Sequence, residues 1–242
     1  MQSVAQGQIL LYPGHCFFPK DYLTLYEIPF LIRMLGSPVW LTQKGLSIVG
    51  GREPGQATLD WMNLHLTTFF RRQNGFTISG GARGVDQKTH SISLRTQTPT
   101  VAILPSGLSQ IYPSSFQDLI PDILQSGGAI LSEYEDSQKM QKYLFAQRNR
   151  LIAGLGRATL ILEAGRRSGT MLTAREAIEQ SKPLWILPGH PMEWKFQGSL
   201  DLLIEGGTPV RDADDLTLLF ESETQTWTDF LTPHSDLSQL SS

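Results

Sequence analysis

The chain has 242 residues, 40% of them hydrophobic, which is enough for one large domain with its own core. A net charge of −3 and a pI of 5.9 give no global argument for a nucleic-acid partner. The single cysteine, Cys16, excludes a disulfide framework or a cysteine zinc site within one chain. We see no leader pattern and no apolar run that could span a bilayer, so we expect a cytoplasmic protein with no membrane partner.

Residues 1–45 carry four prolines that interrupt any long helix: Pro13, Pro19, Pro29 and Pro38. The segment Leu23–Leu35 is predicted to contain one short helix. We interpret residues 1–45 as an N-terminal extension, a reduced helical region that packs on the main domain.

Apolar strands alternate with amphipathic helices from Leu46 onward. The predicted strands are 46–49, 76–78, 100–104, 129–131, 158–162 and 183–187, with an edge strand at 208–210. The predicted helices are 57–72, 85–95, 113–125 and 196–204, with another that begins at Thr170. This alternation predicts an α/β domain over residues 46–220, built on a doubly wound, mostly parallel sheet. Residues 221–242 form a polar acidic tail.

Glycine-rich loops follow the predicted strands, at the sheet edge where α/β domains bind ligands. Three of these loops suit an anion, through backbone N–H groups or a nearby arginine. Their candidate residues are Gly51 and Arg52; Ser79, Gly80, Gly81 and Arg83; and Ser168, Gly169 and Thr170. The G-x-G-x-x-G and G-x-x-x-x-G-K-[ST] motifs are absent, so the sequence supports neither a nicotinamide dinucleotide nor Mg-ATP.

A locally basic stretch lies between Lys139 and Arg175, with Glu163 as its only acid. Within it, positive and aromatic side chains alternate, which is typical of surfaces that bind single-stranded nucleic acid. The candidates are Lys142, Phe145, Arg148, Asn149 and Arg150. Tyr143 and Phe145 could instead be core residues, and we expect this of one of the two.

Other polar residues have a structural interpretation beside a chemical one. Asp86 is expected to cap a helix, and His90 to be structural, although it could pair with Asp86. Glu163 could bond a ribose or fix the loop backbone, with Glu133 as the nearest candidate for a second carboxylate. The five histidines lack metal-ligand spacing, so no metal is assigned.

Taken in order, the motifs resemble those of the DNA-processing protein A family (DprA/Smf). The matching segments are SIVGGR, ISGGARGVDQKTH, TVAILPSGLSQIYP, GAILSEY, FAQRNRLIAGLGRATLILEA, SGTMLTAREAIEQSKPLWILPGH and GSLDLLIEGGTPV. The resemblance implies an extended Rossmann-like fold, single-stranded DNA binding without enzymatic activity or a cofactor, and a homodimer. It also implies that the protein loads a RecA-type recombinase during natural transformation.

The resemblance assigns DNA-binding roles residue by residue to Arg52, Arg83, Lys142, Phe145, the Arg148-Asn149-Arg150 motif and the Ser168-Gly169 loop. We expect the family's winged-helix C-terminal domain to be missing from this sequence. The alternative is a nucleotide-binding sensor or a nucleoside-monophosphate phosphoribohydrolase of related fold. The loop P-G-G-x-G-T-x-x-E of such hydrolases is matched here only in Gly169-Thr170, and Thr173 stands where its glutamate is expected.

Overall fold

The computed structural model describes residues 7–222. The strands are β1 Ile9–Leu11, β2 Ile32–Gly36, β3 Lys44–Gly50, β4 Gly75–Ser79, β5 Thr100–Ile103, β6 Ala129–Ser132, β7 Ala158–Leu162, β8 Leu184–Ile186 and β9 Thr208–Pro209. The helices are α1 Gln56–Trp61, α2 Thr67–Arg72, α3 Val85–Arg95, α4 Ile120–Gln125, α5 Lys142–Leu155, α6 Gly169–Glu179, α7 Gln197–Ile204 and α8 Ala213–Glu221.

The described strands form one sheet in the order β1-β2-β6-β5-β4-β3-β7-β8-β9. All pairs from β6 through β9 in this order are parallel, and only the pairs involving β1 and β2 are antiparallel. All five residues of β7 are buried, as expected for a strand covered on both faces. The predicted Rossmann-like, mostly parallel α/β fold is confirmed.

Helices cover both faces of the sheet. On one face, Leu151 and Ile152 of α5 and Ala174 of α6 pack with Val49 and Ile161 from the central strands. On the other face, α1 to α3 and α8 pack against the alternate residues of the same strands. Because side chains alternate across a strand, these continuous apolar strands supply both cores.

The strand order reverses between β3 and β7. From β3 the chain moves outward through β4 and β5 to β6, and α5 then carries it back to β7 on the other side of β3. The loops that follow β3 and β7 therefore diverge, which opens a crevice at the carboxyl ends of these two strands.

The predicted helix at Leu23–Leu35 is wrong. A 3-10 helix occupies Lys20–Thr24, and residues 32–36 form β2, which pairs antiparallel with β6. Fully buried Ile32 and Met34 cover apolar surface that the parallel strands leave open, so tertiary pairing overrides the local helical preference. The division at residue 45 stays a prediction, although β1 and β2 extend the sheet of the main domain.

Two further elements differ from expectation. The predicted helix 57–72 contains a π-helical turn at Met62–Leu66, and the predicted helix 113–125 begins as a 3-10 helix at Ser114–Leu119. Helix α8 was not predicted, and Asp212 caps it by accepting hydrogen bonds from two backbone N–H groups. The predicted tail lies outside the described residues except for positions 221 and 222.

Within residues 7–222, no helix is both long and apolar enough to cross a bilayer.

Candidate functional site

A cleft of about 720 Å³ lies at the carboxyl ends of β3 and β7. Its walls are the loop after β3, the first turns of α5, the loop between β7 and α6, and part of the loop after β8. The fold thus places the cleft at the crevice created by the reversal of strand order.

The structure brings most of the predicted site residues together around this cleft. The predicted residues that line it are Gly51, Arg52, Lys142, Phe145, Arg148, Asn149, Ser168, Gly169 and Thr170. The predicted residues outside its lining are Ser79, Gly80, Gly81, Arg83 and Arg150.

Phe145 stands in the cleft between two arginines. The guanidinium carbon of Arg52 lies 5.1 Å from the centre of its ring, and that of Arg148 lies 5.6 Å away. Tyr112 meets the ring edge-on, with ring centres 6.0 Å apart. The half-buried Phe145 thus contacts two arginines and one tyrosine, whereas Tyr143 is exposed outside the cleft lining.

Arg148 is buried, with 3% of the residue exposed. Its Nη1 donates to the carbonyl oxygen of Gly80 at 2.8 Å and also to that of Ile103. Burial lowers the pKa of Arg148 to about 10, and the nearby carboxylate of Asp86 opposes this shift. Arg148 therefore ties the floor of the cleft to two strand ends, and its expected contact with phosphate stays a prediction.

The loop after β4 uses its polar groups internally. Ser79 Oγ donates to the carbonyl of Ile48 at 2.7 Å, and the N–H of Ala82 donates to Asp86 Oδ2 at 3.3 Å. A Cβ at Gly80 would lie 2.6 Å from a guanidinium nitrogen of Arg148. This loop holds a carboxylate of its own chain, and the expected binding of an outside anion at Ser79, Gly80 and Gly81 stays a prediction.

Asp86 and His90 are both buried on α3 but do not act as a pair. Burial raises the pKa of Asp86 to about 6, against the lowering effect of Arg148. His90 bonds Thr100 Oγ1 through Nδ1 at 2.7 Å and packs on Phe116. Burial lowers the pKa of His90 to about 3. The structural interpretation of His90 is confirmed, and Asp86 binds backbone upstream of its helix.

Arg150 lies outside the cleft in an ion pair. Its Nη1 and Nη2 donate to the two carboxylate oxygens of Glu133 at 2.8 and 2.6 Å, and its Nε donates to the carbonyl of Glu27. Arg150 thus ties α5 to the end of β6 and to the N-terminal segment, and its expected contact with DNA stays a prediction. Glu133 is engaged here and is not a partner of Glu163.

Glu163 ends β7 with a φ of 68°, a conformation that is uncommon for a residue other than glycine. Its Oε1 accepts hydrogen bonds from the N–H of Gly55 and from Thr58 Oγ1, both at 2.7 Å. These bonds fix the loop between β3 and α1 to the end of β7. Glu163 is therefore a brace across the two sides of the cleft, one of the two roles that the sequence left open.

Helix α6 begins in the cleft at Gly169, with Ser168 in the N-cap position. The side chain of Ser168 caps no backbone N–H, and Thr170 in the first turn is buried. The first N–H groups of a helix lack intrahelical acceptors and carry a positive partial charge. This end of α6 is therefore suited to a phosphate group.

Four cations of the cleft are available to a ligand. Arg52, Lys142, Arg167 and Arg175 are exposed and form no ion pair among residues 7–222. Arg166 also lines the cleft but holds Asp201 through two hydrogen bonds of 2.6 and 2.9 Å. The available charge therefore shares one cleft with the α6 N-terminus.

Trp194 and Lys195 line the cleft and were missed by the sequence reasoning. Trp194 is 73% exposed, and its ring lies over the backbone of Gly165, where a Cβ would be 3.4 Å away. Lys195 Nζ donates to the carbonyl of Glu53 in the opposite wall. The sequence of this loop contains no recognised motif. The available clue was that an aromatic residue and a lysine follow β8, whose carboxyl end lies on the same side of the sheet as the ends of β3 and β7.

No group of three His, Cys, Asp or Glu residues within the described chain could hold a metal ion.

The fold and the site define a class: a Rossmann-like domain with a cationic, aromatic-lined cleft at its topological switch point. The family model for DNA recombination-mediator protein A matches residues 9–221. The chain belongs to this family.

Several relatives and solved structures resemble the chain over most of its length. It is 32% identical over 201 residues to Protein Smf of Escherichia coli K12, covering 83% of this chain and 53% of that protein. The structure of DNA processing protein A from Streptococcus pneumoniae superposes with a TM-score of 0.82 at 27% identity, covering 90% of this chain and 76% of the other.

DNA processing protein A from Helicobacter pylori, whose structure concerns its single-stranded DNA binding mode, superposes with a TM-score of 0.76 at 28% identity. That match covers 88% of this chain and 95% of the other. By contrast, the chain spans only about half of the length of the Escherichia coli Smf protein.

Proposed function

We propose that this protein binds single-stranded DNA in the cleft at the ends of β3 and β7, as a DNA-processing protein of the DprA/Smf type. One observation carries the proposal: the ring of Phe145, flanked by Arg52 and Arg148, shares a single cleft with the N-terminus of α6. A flat side chain beside a phosphate-binding helix end matches what single strands require, since their bases are free to stack.

Two kinds of group in the cleft can bind the phosphates of a DNA strand: backbone N–H donors and exposed positive side chains. The backbone at Ser168–Thr170 supplies directed N–H donors, and Gly51 lets a ligand approach the opposite wall closely. The exposed cations Arg52, Lys142, Arg167 and Arg175 add charge that does not depend on base sequence. Together they favour a track for a sugar-phosphate backbone.

Two aromatic side chains of the cleft are available to the bases. Phe145 projects from α5, and Trp194 lies on the loop after β8, over Gly165. Stacking on an aromatic ring contributes about 1–3 kcal/mol per base and tolerates any base. We therefore expect binding with weak sequence preference and a strong preference for unpaired strands.

We propose that the protein acts without catalysing a reaction. The two buried acids at the cleft, Asp86 and Glu163, are held by hydrogen bonds from backbone and side-chain donors. Membership of the family supports a role in DNA uptake and recombination in the cytoplasm. On the same ground we propose a homodimer that protects single-stranded DNA and delivers it to a RecA-type recombinase.

A competition experiment tests the proposal. Purified protein is titrated into a labelled oligo-dT at low salt, followed by single-stranded, double-stranded or mononucleotide competitors. The proposal expects efficient displacement by the single strand and little by the other two. Displacement by AMP alone, with release of adenine, would support the phosphoribohydrolase instead. No binding to oligo-dT at low salt would contradict the proposal.

A further inference from the structure

Tyr112 is an exposed aromatic residue next to the cleft but outside its lining. It lies in the loop between β5 and the 3-10 helix Ser114–Leu119, and 41% of the residue is exposed. The centre of its ring lies 6.0 Å from that of Phe145, which lines the cleft. Tyr112 therefore continues the aromatic surface of Phe145 beyond the cleft.

The two rings are nearly perpendicular, with an angle of 84° between their planes. A base stacked on Tyr112 would therefore be nearly perpendicular to a base stacked on Phe145. The bases of a duplex lie parallel in one stack, and turning one of them out requires unpairing and unstacking it. The bases of a single strand are free to separate, so this pair of rings suits an unpaired strand that turns between two bases.

Arg83 lies between the cleft and Tyr112 along the carboxyl edge of the sheet. In the strand order β3-β4-β5, the loop after β4 separates the loop that carries Arg52 from the loop that carries Tyr112. A Cβ at Gly84 would lie 2.5 Å from the carbonyl oxygen of Arg52, so the loops of the two arginines are in contact. Arg83 is exposed and forms no ion pair among residues 7–222, so its charge is available to a phosphate.

We propose that the bound strand leaves the cleft past Phe145 and follows the carboxyl edge of the sheet to the loop after β5. There Tyr112 stacks a further base, and Arg83 binds a phosphate on the way. This inference rests on the proposed DNA binding and deepens it by adding a binding segment outside the cleft. Neighbouring strands lie about 4.8 Å apart, so the three steps from the end of β7 to the end of β5 span about 14 Å. A strand that fills only the cleft does not reach Tyr112.

A purely structural role for Tyr112 predicts a different result. If Tyr112 only held Phe145 in place, its removal would weaken the binding of every strand by the same factor, because every strand uses Phe145. If Tyr112 stacks a base, its removal weakens the binding only of strands that are long enough to reach it. The dependence on strand length therefore separates the two roles.

The test measures dissociation constants for oligo-dT strands of increasing length, starting from the shortest that wild type binds. The variants are Tyr112→Ala, Tyr112→Phe and Arg83→Ala. Tyr26→Ala is the matched control, since Tyr26 is a fully exposed tyrosine of the N-terminal segment outside the cleft lining. Thermal melting checks that each variant is folded, and salt titrations are run at the shortest and longest lengths.

We expect Tyr112→Ala to bind long strands about fivefold more weakly than wild type and the shortest strands equally well. Tyr112→Phe keeps the ring and should bind as wild type does. For Arg83→Ala, the slope of log affinity against log salt concentration should become shallower by about 0.7 with long strands only. Because Arg83 is exposed, this second variant tests the path even if Tyr112→Ala does not fold.

Four results would overturn the inference: no loss in folded Tyr112→Ala at any length, an equal loss at all lengths, the same loss in Tyr112→Phe or Tyr26→Ala, or an unchanged salt slope in Arg83→Ala. The shortest strands report separately on the proposed function. Their binding by wild type shows that the cleft binds DNA, whatever Tyr112 does.

Discussion

Arg52 lies over the ring of Phe145, with its guanidinium carbon 5.1 Å from the ring centre. The two residues come from different elements, the loop after β3 and the first turns of α5, and they meet only because the strand order reverses beside them. The cation holds the ring in place and contributes charge next to it. A base stacked on the ring would therefore have its phosphate within reach of the arginine.

Removal of this ring is expected to weaken DNA binding. Phe145→Ala should reduce the affinity for oligo-dT by about 5- to 150-fold, corresponding to the loss of about 1–3 kcal/mol of stacking. Fluorescence anisotropy titrations measure the change. Tyr143→Ala is the matched control, since Tyr143 is an exposed aromatic of the same helix outside the cleft lining. Equal losses in both variants would mean that the assigned surface is wrong.

Lys142 is expected to act through charge alone. For Lys142→Ala, the plot of log affinity against log salt concentration should become shallower by about 0.7, the contribution of one phosphate contact to single-strand binding. Titrations at four salt concentrations give the slope. Lys44→Ala serves as the control because Lys44 is the first residue of β3. It therefore lies at the amino end of the strand, away from the cleft at the carboxyl end. An unchanged slope in Lys142→Ala would place this lysine away from the DNA.

Arg150 is expected to matter for stability and not for DNA contact. Arg150→Ala leaves the carboxylate of Glu133 half-enclosed without its partner, which should lower the free energy of unfolding by about 2–4 kcal/mol. Urea denaturation measures this loss. The folded variant should bind oligo-dT as wild type does, and a large loss of affinity without a loss of stability would reverse the assignment.

His90 and Asp86 give opposite dependences of stability on pH. The pKa of His90 falls from 6.5 to about 3 on folding, so its contribution is complete above pH 6.5 and is lost as the pH falls towards 3. The pKa of Asp86 rises from 3.8 to about 6, so its contribution grows as the pH falls from 6 towards 3.8. Between pH 4 and 6 the two effects oppose each other in wild type.

The variant His90→Asn separates them. Asparagine keeps a hydrogen bond to Thr100 but does not titrate, so the free energy of unfolding should rise relative to wild type by about 1.4 kcal/mol per unit as the pH is lowered from 6 to 4. Urea denaturation across this range measures the difference. Parallel curves for the two proteins would show that His90 is not held neutral in the fold.

The sequence predicted the parallel core well because its signals are local. Strands such as Ala158–Leu162 are short apolar runs that lead into glycine-containing loops, and in such α/β sheets the carboxyl ends of the strands are where ligands bind. Strand β2 was missed because it lies shortly after Pro29 and forms by pairing with β1 and with β6, which is about 100 residues away. The stability of β2 comes from pairing with distant strands, and the pattern of neighbouring residues in the sequence does not reveal such pairing.

The site was predicted in part for the same reason. Glycine and basic loops placed Arg52, Lys142 and Ser168 correctly at one edge, but the partner of a charged side chain is a property of the fold. Arg148 and Arg150 flank one asparagine on α5 and point to different environments, a buried pair of carbonyls and the carboxylate of Glu133. The sequence shows only that both residues are arginines, so it predicted the same role for each.

The most direct test of the central claim is to map where a single strand lies on the protein. An oligo-dT that contains 5-iododeoxyuridine is cross-linked by light to aromatic side chains within contact distance, and the attached peptides are identified by mass spectrometry. Our account predicts cross-links at Phe145 and Trp194, the two aromatic surfaces of the cleft. Cross-links confined to exposed aromatics away from it, such as Tyr26 and Phe30, would contradict the account.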